Sequence, residues 1–173
     1  LQISDDKLIP YAASMSSTYS HYEASRCING DTTGALSNLC ATGTHQPFDP
    51  APWLLLKFQD RVAVTRVEIY NRDHSDSIGA RTRNLEVRLT EEEPTTGDTM
   101  YTGGQLLGTF QGPGGNGQVI SVSGSAKTGR YVLIQMNYQE VLHFHEVSVF
   151  GRVRNLQTDC HGALQLDVVK SNQ

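Results

Sequence analysis

The chain has 173 residues, with 14 Lys plus Arg against 18 Asp plus Glu, a formal charge of −4. That deficit of cations argues against general binding to a nucleic-acid backbone, which requires a basic surplus. Hydrophobic residues make up 38% and charged residues 18%, which suits a packed core rather than a disordered tail, and no apolar run approaches the ~18 residues of a membrane-spanning helix.

Read in chain order, short runs of alternating apolar residues predict strands over about 12–17, 53–59, 62–70, 84–90, 105–110, 118–123, 130–137, 143–150 and 163–169. The lead-in at 1–11 is expected to be ordered, and a chain that starts at Leu1 without an apolar leader reads as a mature or excised segment. Val62 and Val64 are out of phase with Val67 and Ile69, so a bulge is expected near Thr65 and Arg66. The run QGPGGNGQ at 111–118 reads as a loop between hairpin partners. In the strand after Gly129, Tyr131, Leu133 and Gln135 share one face, and Val132, Ile134 and Met136 the other. Such spacing predicts an all-β chain, an antiparallel β-sandwich or jelly roll with long loops at one end. The expected division is a domain over 1–151 and an extension over 152–173, an edge strand or linker that carries Cys160.

The stretch from 17 to 52 is polar and irregular, and it contains Cys27 and Cys40. A long excursion of this kind in a compact domain is a functional loop, or an Ω-loop pinned by a disulfide. A Cys27–Cys40 bridge implies an oxidising compartment, the alternative being three free thiols. At 70–89 a strand ends in a polar loop carrying Arg72, Asp73, Asp76 and Arg81. Arg donors fixed beside carboxylates suit ligands rich in oxygen acceptors, and a solvated hairpin with surface ion pairs is the plainer reading. His143 and His145, two apart on a predicted strand, face the same side. They form a weak zinc candidate without a nearby third ligand, and packing or hydrogen bonding is the preferred role. The chain has no nucleophile-elbow motif, its GPGGNG run lacks the Lys-Ser/Thr ending of a phosphate loop, and Glu91–Glu93 read as a solvated turn. No enzyme activity is expected.

Several motifs together resemble the F-type lectin (fucolectin) family. That family carries a His, 26 residues, and then Arg-x-Asp-x4-Arg/Lys. In this chain His45 precedes Arg72 by the same 26-residue gap, and Asp76 precedes Arg81 by four residues. The departure lies between Arg72 and Asp76, which three residues separate rather than one. RTRNLEVRL at 81–89, HEVSVFG at 145–151, RCINGD at 26–31 and the strand-opening Pro52-Trp53 are similar to further family motifs. The resemblance covers about 10–151 and implies a calcium-braced, discoidin-like sandwich that holds terminal L-fucose.

Carried over residue by residue, the resemblance implies sugar contacts from His45, Arg72 and Arg81. Asp76 would orient an arginine, and Ile78 would supply an apolar surface where the family has a contiguous disulfide. It implies Ca²⁺ ligands from the Arg26 carbonyl, Asn29, the Asp31 carbonyl, Thr42 and Glu146, with Asn29 replacing the usual Asp. The family's bridge near its His falls at Gly43 and His145, so both halves are missing, and Cys27–Cys40 would pin the same loop from its other end. The implied partners are fucosylated glycans at a secreted or cell-surface location, met through oligomers or tandem domains since one shallow sugar site binds weakly. The rival readings are a discoidin-like lipid- or protein-binding adhesion module, for which Leu36 and Leu39 are the candidate apolar spikes and Trp53 reads as buried, and an accessory domain of a larger enzyme.

Overall fold

A computed structural model describes residues 5–34, 38–43, 48–95 and 99–154. Its strands are β1 (Asp6–Leu8), β2 (Ala12–Met15), β3 (Cys40–Ala41), β4 (Trp53–Asn71), β5 (Leu85–Thr90), β6 (Gln105–Phe110), β7 (Val119–Met136) and β8 (His143–Val153). A 3-10 turn spans Ala24–Ile28, and one helical turn, α1, spans Asp76–Gly79. All registered pairs are antiparallel, in the order β1-β8-β4-β7-β5-β6, with β2 on β4 and β3 on β8.

The sandwich arises because two long strands serve both layers. The first part of β4 pairs with β2 and with the end of β7, Leu54 opposite Ile134. After a register break between Lys57 and Val62, the second part pairs with β8 and the start of β7, Ile69 opposite Val147 and Ile120. The predicted strands 53–59 and 62–70 are therefore one continuous bent strand, as are 118–123 and 130–137. The bulge expected near Thr65 is present as a second register break between Val64 and Arg66. Gly129 lies where β7 turns between layers; a Cβ there would meet the Thr90 carbonyl oxygen at 2.4 Å.

Between the layers sit Leu54, Leu56, Val67, Ile69, Leu85, Val87, Leu89, Val132, Ile134, Met136, Val147 and Val149, all buried. Alternation is clean in β5, where Glu86 and Arg88 point outward and bond each other at 2.9 Å. It fails in β7, where residues 132–136 are all buried. The outer face there is covered by the segment around Tyr101, whose backbone N–H and carbonyl both bond the Gln135 amide, at 3.0 and 2.6 Å. Three smaller expectations change. The lead-in contains β1, paired along β8. The glycine loop at 111–118 joins β6 to β7, which are not hairpin partners, because β5 lies between them. Trp53 at the start of β4 is half-buried. β8 runs to Val153, past the expected limit at 151, while the predicted strand at 163–169, Cys160 and Leu36 lie outside the described residues.

Cys27 and Cys40 form a disulfide with Cα atoms 5.4 Å apart, tying the 3-10 turn to β3 across 13 residues of sequence. Replacing both with Ala should lower unfolding free energy by about 3 kcal/mol, from the loop-closure entropy restored to the unfolded chain. Urea denaturation of the oxidised parent and the double variant checks this, and a change under about 1 kcal/mol would mean that β3 already closes the loop.

Candidate functional site

At one end of the sandwich the loop after β4 meets the glycine loop before β7, and Asn71, the last residue of β4, joins them. Its buried amide nitrogen donates to the carbonyls of Gly79 at 2.9 Å and Gly115 at 2.8 Å, while its oxygen accepts from the Thr82 hydroxyl at 2.7 Å. Backbone bonds complete the seam: Gly114 N–H to the Thr82 carbonyl at 2.8 Å, and Gly117 N–H to the Arg72 carbonyl at 3.2 Å. The Asn116 side chain accepts from His74 N–H at 2.7 Å and donates to Asp73 Oδ1 at 2.8 Å. Gly79 is required here, since a Cβ would come within 2.8 Å of the Gly115 and Asn116 backbone.

This frame carries the arginines. The residues inserted between Arg72 and Asp76 feed α1, which Ser75 opens by accepting from Ile78 N–H and Gly79 N–H. Arg81 follows the helical turn and lies close enough for its charge to be felt at Arg72, and both charges are felt at His143. Ile78 is half-buried on α1, whereas Asp76 is exposed. Among the described ion pairs Arg81 faces Glu140 at 3.9 Å, and Asp76 pairs with neither arginine; the carboxylate beside Arg81 thus comes from the approach to β8. Burial lowers the Arg72 pKa, Tyr22 opposes the fall and Arg81 adds to it; a guanidinium nevertheless keeps its proton.

His45 lies outside the described residues, but both flanks of its loop are anchored. Gly43 N–H donates to the Ser17 hydroxyl at 2.7 Å, and the Ser16 and Ser17 hydroxyls both donate to Asp49 at 2.6 Å. The Gln139 amide donates to the Phe48 carbonyl at 3.0 Å. Leu39 is 1% exposed in the core, so it is no membrane spike: β3 carries the adjacent Cys40 into the disulfide and draws Leu39 inward. No helix among the described residues is long and apolar enough to cross a membrane.

His143 and His145 are both buried. Asp73 N–H donates to His145 Nε2 at 3.1 Å, tying β8 to the arginine loop from the position where the family has a half-cystine. Burial first, then Arg72 and Arg81, lowers the His143 pKa to about 3, so it is neutral. Burial and Arg72 also lower His145, against Asp73 and Asp31. No cluster of three or more His, Cys, Asp or Glu that could hold a metal occurs among the described residues.

The residues implied as calcium ligands fall on the other flank of β8. Glu146 is 2% exposed, accepts from Gly30 N–H at 3.1 Å and lies 3.8 Å from Lys7 Nζ. Burial pushes its pKa up to about 7, against the Gly30 N–H and Lys7, which lower it. Asn29 Oδ1 accepts from Asp31 N–H at 2.9 Å, and Asp31 Oδ1 accepts from the Thr33 N–H and hydroxyl, which lower the Asp31 pKa. A cavity of about 200 Å³ beside them is lined by Lys7, Ile28, Asn29, Gly30 and Glu146. Arg26 sits in the preceding 3-10 turn, and the buried Thr42 hydroxyl is committed to the Leu142 backbone, accepting its N–H at 2.9 Å.

Asn71, Glu140 and Asn116 were not identified as site residues from sequence, and His143 was noted only as a weak zinc candidate beside His145. Only the position of Asn71, directly before Arg72 at a strand end, carried a usable signal. Asn71→Ala should cost about 3 kcal/mol, roughly 1 kcal/mol for each bond lost, against about 1 kcal/mol for Thr82→Val. Equal urea midpoints for the two variants would show that Asn71 is not the joint.

No family model and no curated protein sequence matches the chain. Solved structures do. A fucolectin from striped bass (Morone saxatilis) serum superposes with TM-score 0.69 and 22% identity over 82% of this chain, which spans only 47% of that one. A Streptococcus pneumoniae fucose binding module gives TM-score 0.65 and 18% identity over 86% of this chain and 96% of that one. The lectin domain of lectinolysin, complexed with Lewis B antigen, gives TM-score 0.64 and 23% identity over 82% of this chain and 93% of that one. The chain has the fold of these F-type lectins and fucose-binding modules, a discoidin-like antiparallel β-sandwich.

Proposed function

We propose that this chain is a non-catalytic carbohydrate-binding domain that recognises terminal L-fucose on glycans. The observation that carries the reading is the convergence of Arg72 and Arg81 at one end of a lectin-type sandwich, on a loop clamped by Asn71. Charged donors make stronger bonds to sugar oxygens than neutral ones, and arginine holds its donors in a fixed fork. Arg72 and Arg81 would bond the ring oxygen and hydroxyls together with His45, and Ile78 would cover an apolar edge of the sugar.

A calcium ion is the second part of the proposal. Asn29, Asp31 and Glu146, with backbone carbonyls including that of Arg26, offer the hard oxygen donors that calcium takes. A buried carboxyl already held near neutral pKa gains most from such a cation. The ion would brace the loop that leads to His45. The disulfide favours an extracellular setting, and a single shallow site favours use in multiple copies on fucosylated surfaces.

Two measurements test this. Arg72→Ala should weaken L-fucose binding in titration calorimetry by at least about tenfold with the circular dichroism spectrum unchanged, the loss expected for one charge-assisted bond. Undiminished binding removes Arg72 from the site. Calcium at about 100 times its dissociation constant should add about 2.7 kcal/mol of stability, reversed by EDTA and absent in Glu146→Gln. An identical melting curve with and without calcium removes the metal from the reading.

A further inference from the structure

The arginine and histidine donors carried over from the resemblance leave one group unexplained. His143 is 0% exposed, and among the described residues neither of its ring nitrogens has a hydrogen-bond partner in another residue. A buried polar atom without a partner is destabilising, and an apolar side chain of similar size would avoid that cost. Arg72 has a like defect: its Nε is buried and without a partner among the described residues. Asn71 pairs with Phe144 at the end of the β4–β8 ladder, and continuing that antiparallel register by one step would set Arg72 opposite His143 on the same face.

The two defects are complementary. Arg72 Nε–H is a donor without an acceptor, and a neutral imidazole has one nitrogen that accepts. His145 cannot fill that role. Its Nε2 already accepts from Asp73 N–H, so in the neutral ring Nδ1 carries the proton and only donates. Arg72 is also the charge that most depresses the His143 pKa, with Arg81 next, which agrees with close approach.

We propose that His143 is a positioning residue for the sugar site, accepting the Nε–H of Arg72 when ligand is bound and leaving the outer N–H fork of the guanidinium free for sugar oxygens. The proposal rests on the reading of Arg72 as a sugar donor. An arginine held only by its aliphatic stem can swing its fork; one anchored at Nε presents both outer nitrogens in one plane.

The test compares parent protein, His143→Phe, which keeps the ring and removes the acceptor, and His143→Gln, which keeps an amide acceptor. In titration calorimetry with L-fucose the phenyl variant should bind at least about tenfold more weakly, with a melting temperature equal to or above the parent's because the orphaned atoms are gone. The glutamine variant should stay within about threefold, as a partial replacement of one bond allows. Parental affinity in His143→Phe, or a glutamine variant as weak as the phenyl one, overturns the proposal and leaves the fucose reading standing. A parent protein that does not bind L-fucose overturns both. Should the phenyl variant fail to fold, ¹⁵N NMR of the parent decides: the Arg72 Nε–H resonance, assigned by its loss in Arg72→Lys, should shift and exchange more slowly on adding L-fucose. An unmoved resonance overturns the proposal.

Discussion

The loop end of this molecule that carries the arginines is organised by one buried amide. Asn71 ends β4, a central strand of the sandwich, and its buried side chain bonds both loops at once, beside the backbone and Asn116 bonds that complete their seam. A side-chain amide suits this place because it offers two donors and an acceptor in one plane, matching two carbonyls and a hydroxyl from separate segments. With the amide in place, the glycine loop packs against α1 closely enough to exclude a Cβ at Gly79. The arginine loop then becomes a wall of the fold rather than a free hairpin.

β8 joins two sets of polar groups that the chain could not otherwise bring together. Its first residues, His143 and His145, face the arginines, and Glu146 directly after them faces the loop of Asn29 and Asp31. The ladder partner on the other side is β3, which carries Cys40 of the disulfide. The physical cost is visible in the buried ionisable groups, which are either shifted toward neutrality, as at His143 and Glu146, or left as a cation short of acceptors, as at Arg72. Such costs are tolerated where a ligand or ion can offset them.

Where a half-cystine is found in the lectins that the sequence resembles, this chain has His145, and opposite it Gly43. Two different constraints act in this region. The Cys27–Cys40 bridge holds the loop by its other end, and the Asp73 N–H to His145 bond holds the arginine loop against β8. A hydrogen bond is weaker than a covalent link, yet it orients a ring tautomer, which a disulfide cannot do.

Strand positions, the bulge at Val64 and Arg66, and the all-β class were legible in the sequence, because alternation and turn residues report directly on a pleated backbone with its core on one side. The spacing from His45 to Arg72 and from Asp76 to Arg81 was legible only as a resemblance: His45 lies outside the described residues, and among the described ion pairs Asp76 meets neither arginine. What only the tertiary structure decided is how separate segments share groups. The continuity of β4 and β7 across two layers follows from register breaks, which depend on partner strands and not on local pattern. The burial of Leu39 and of both faces of residues 132–136 follows from what covers them. The pairing of Arg81 with Glu140, the clamp at Asn71 and the bond from Asp73 N–H to His145 each join residues remote in sequence. No local periodicity encodes such contacts, because hydrogen bonds between distant loops are selected by the geometry of the folded chain and leave no repeating mark on the residues between them.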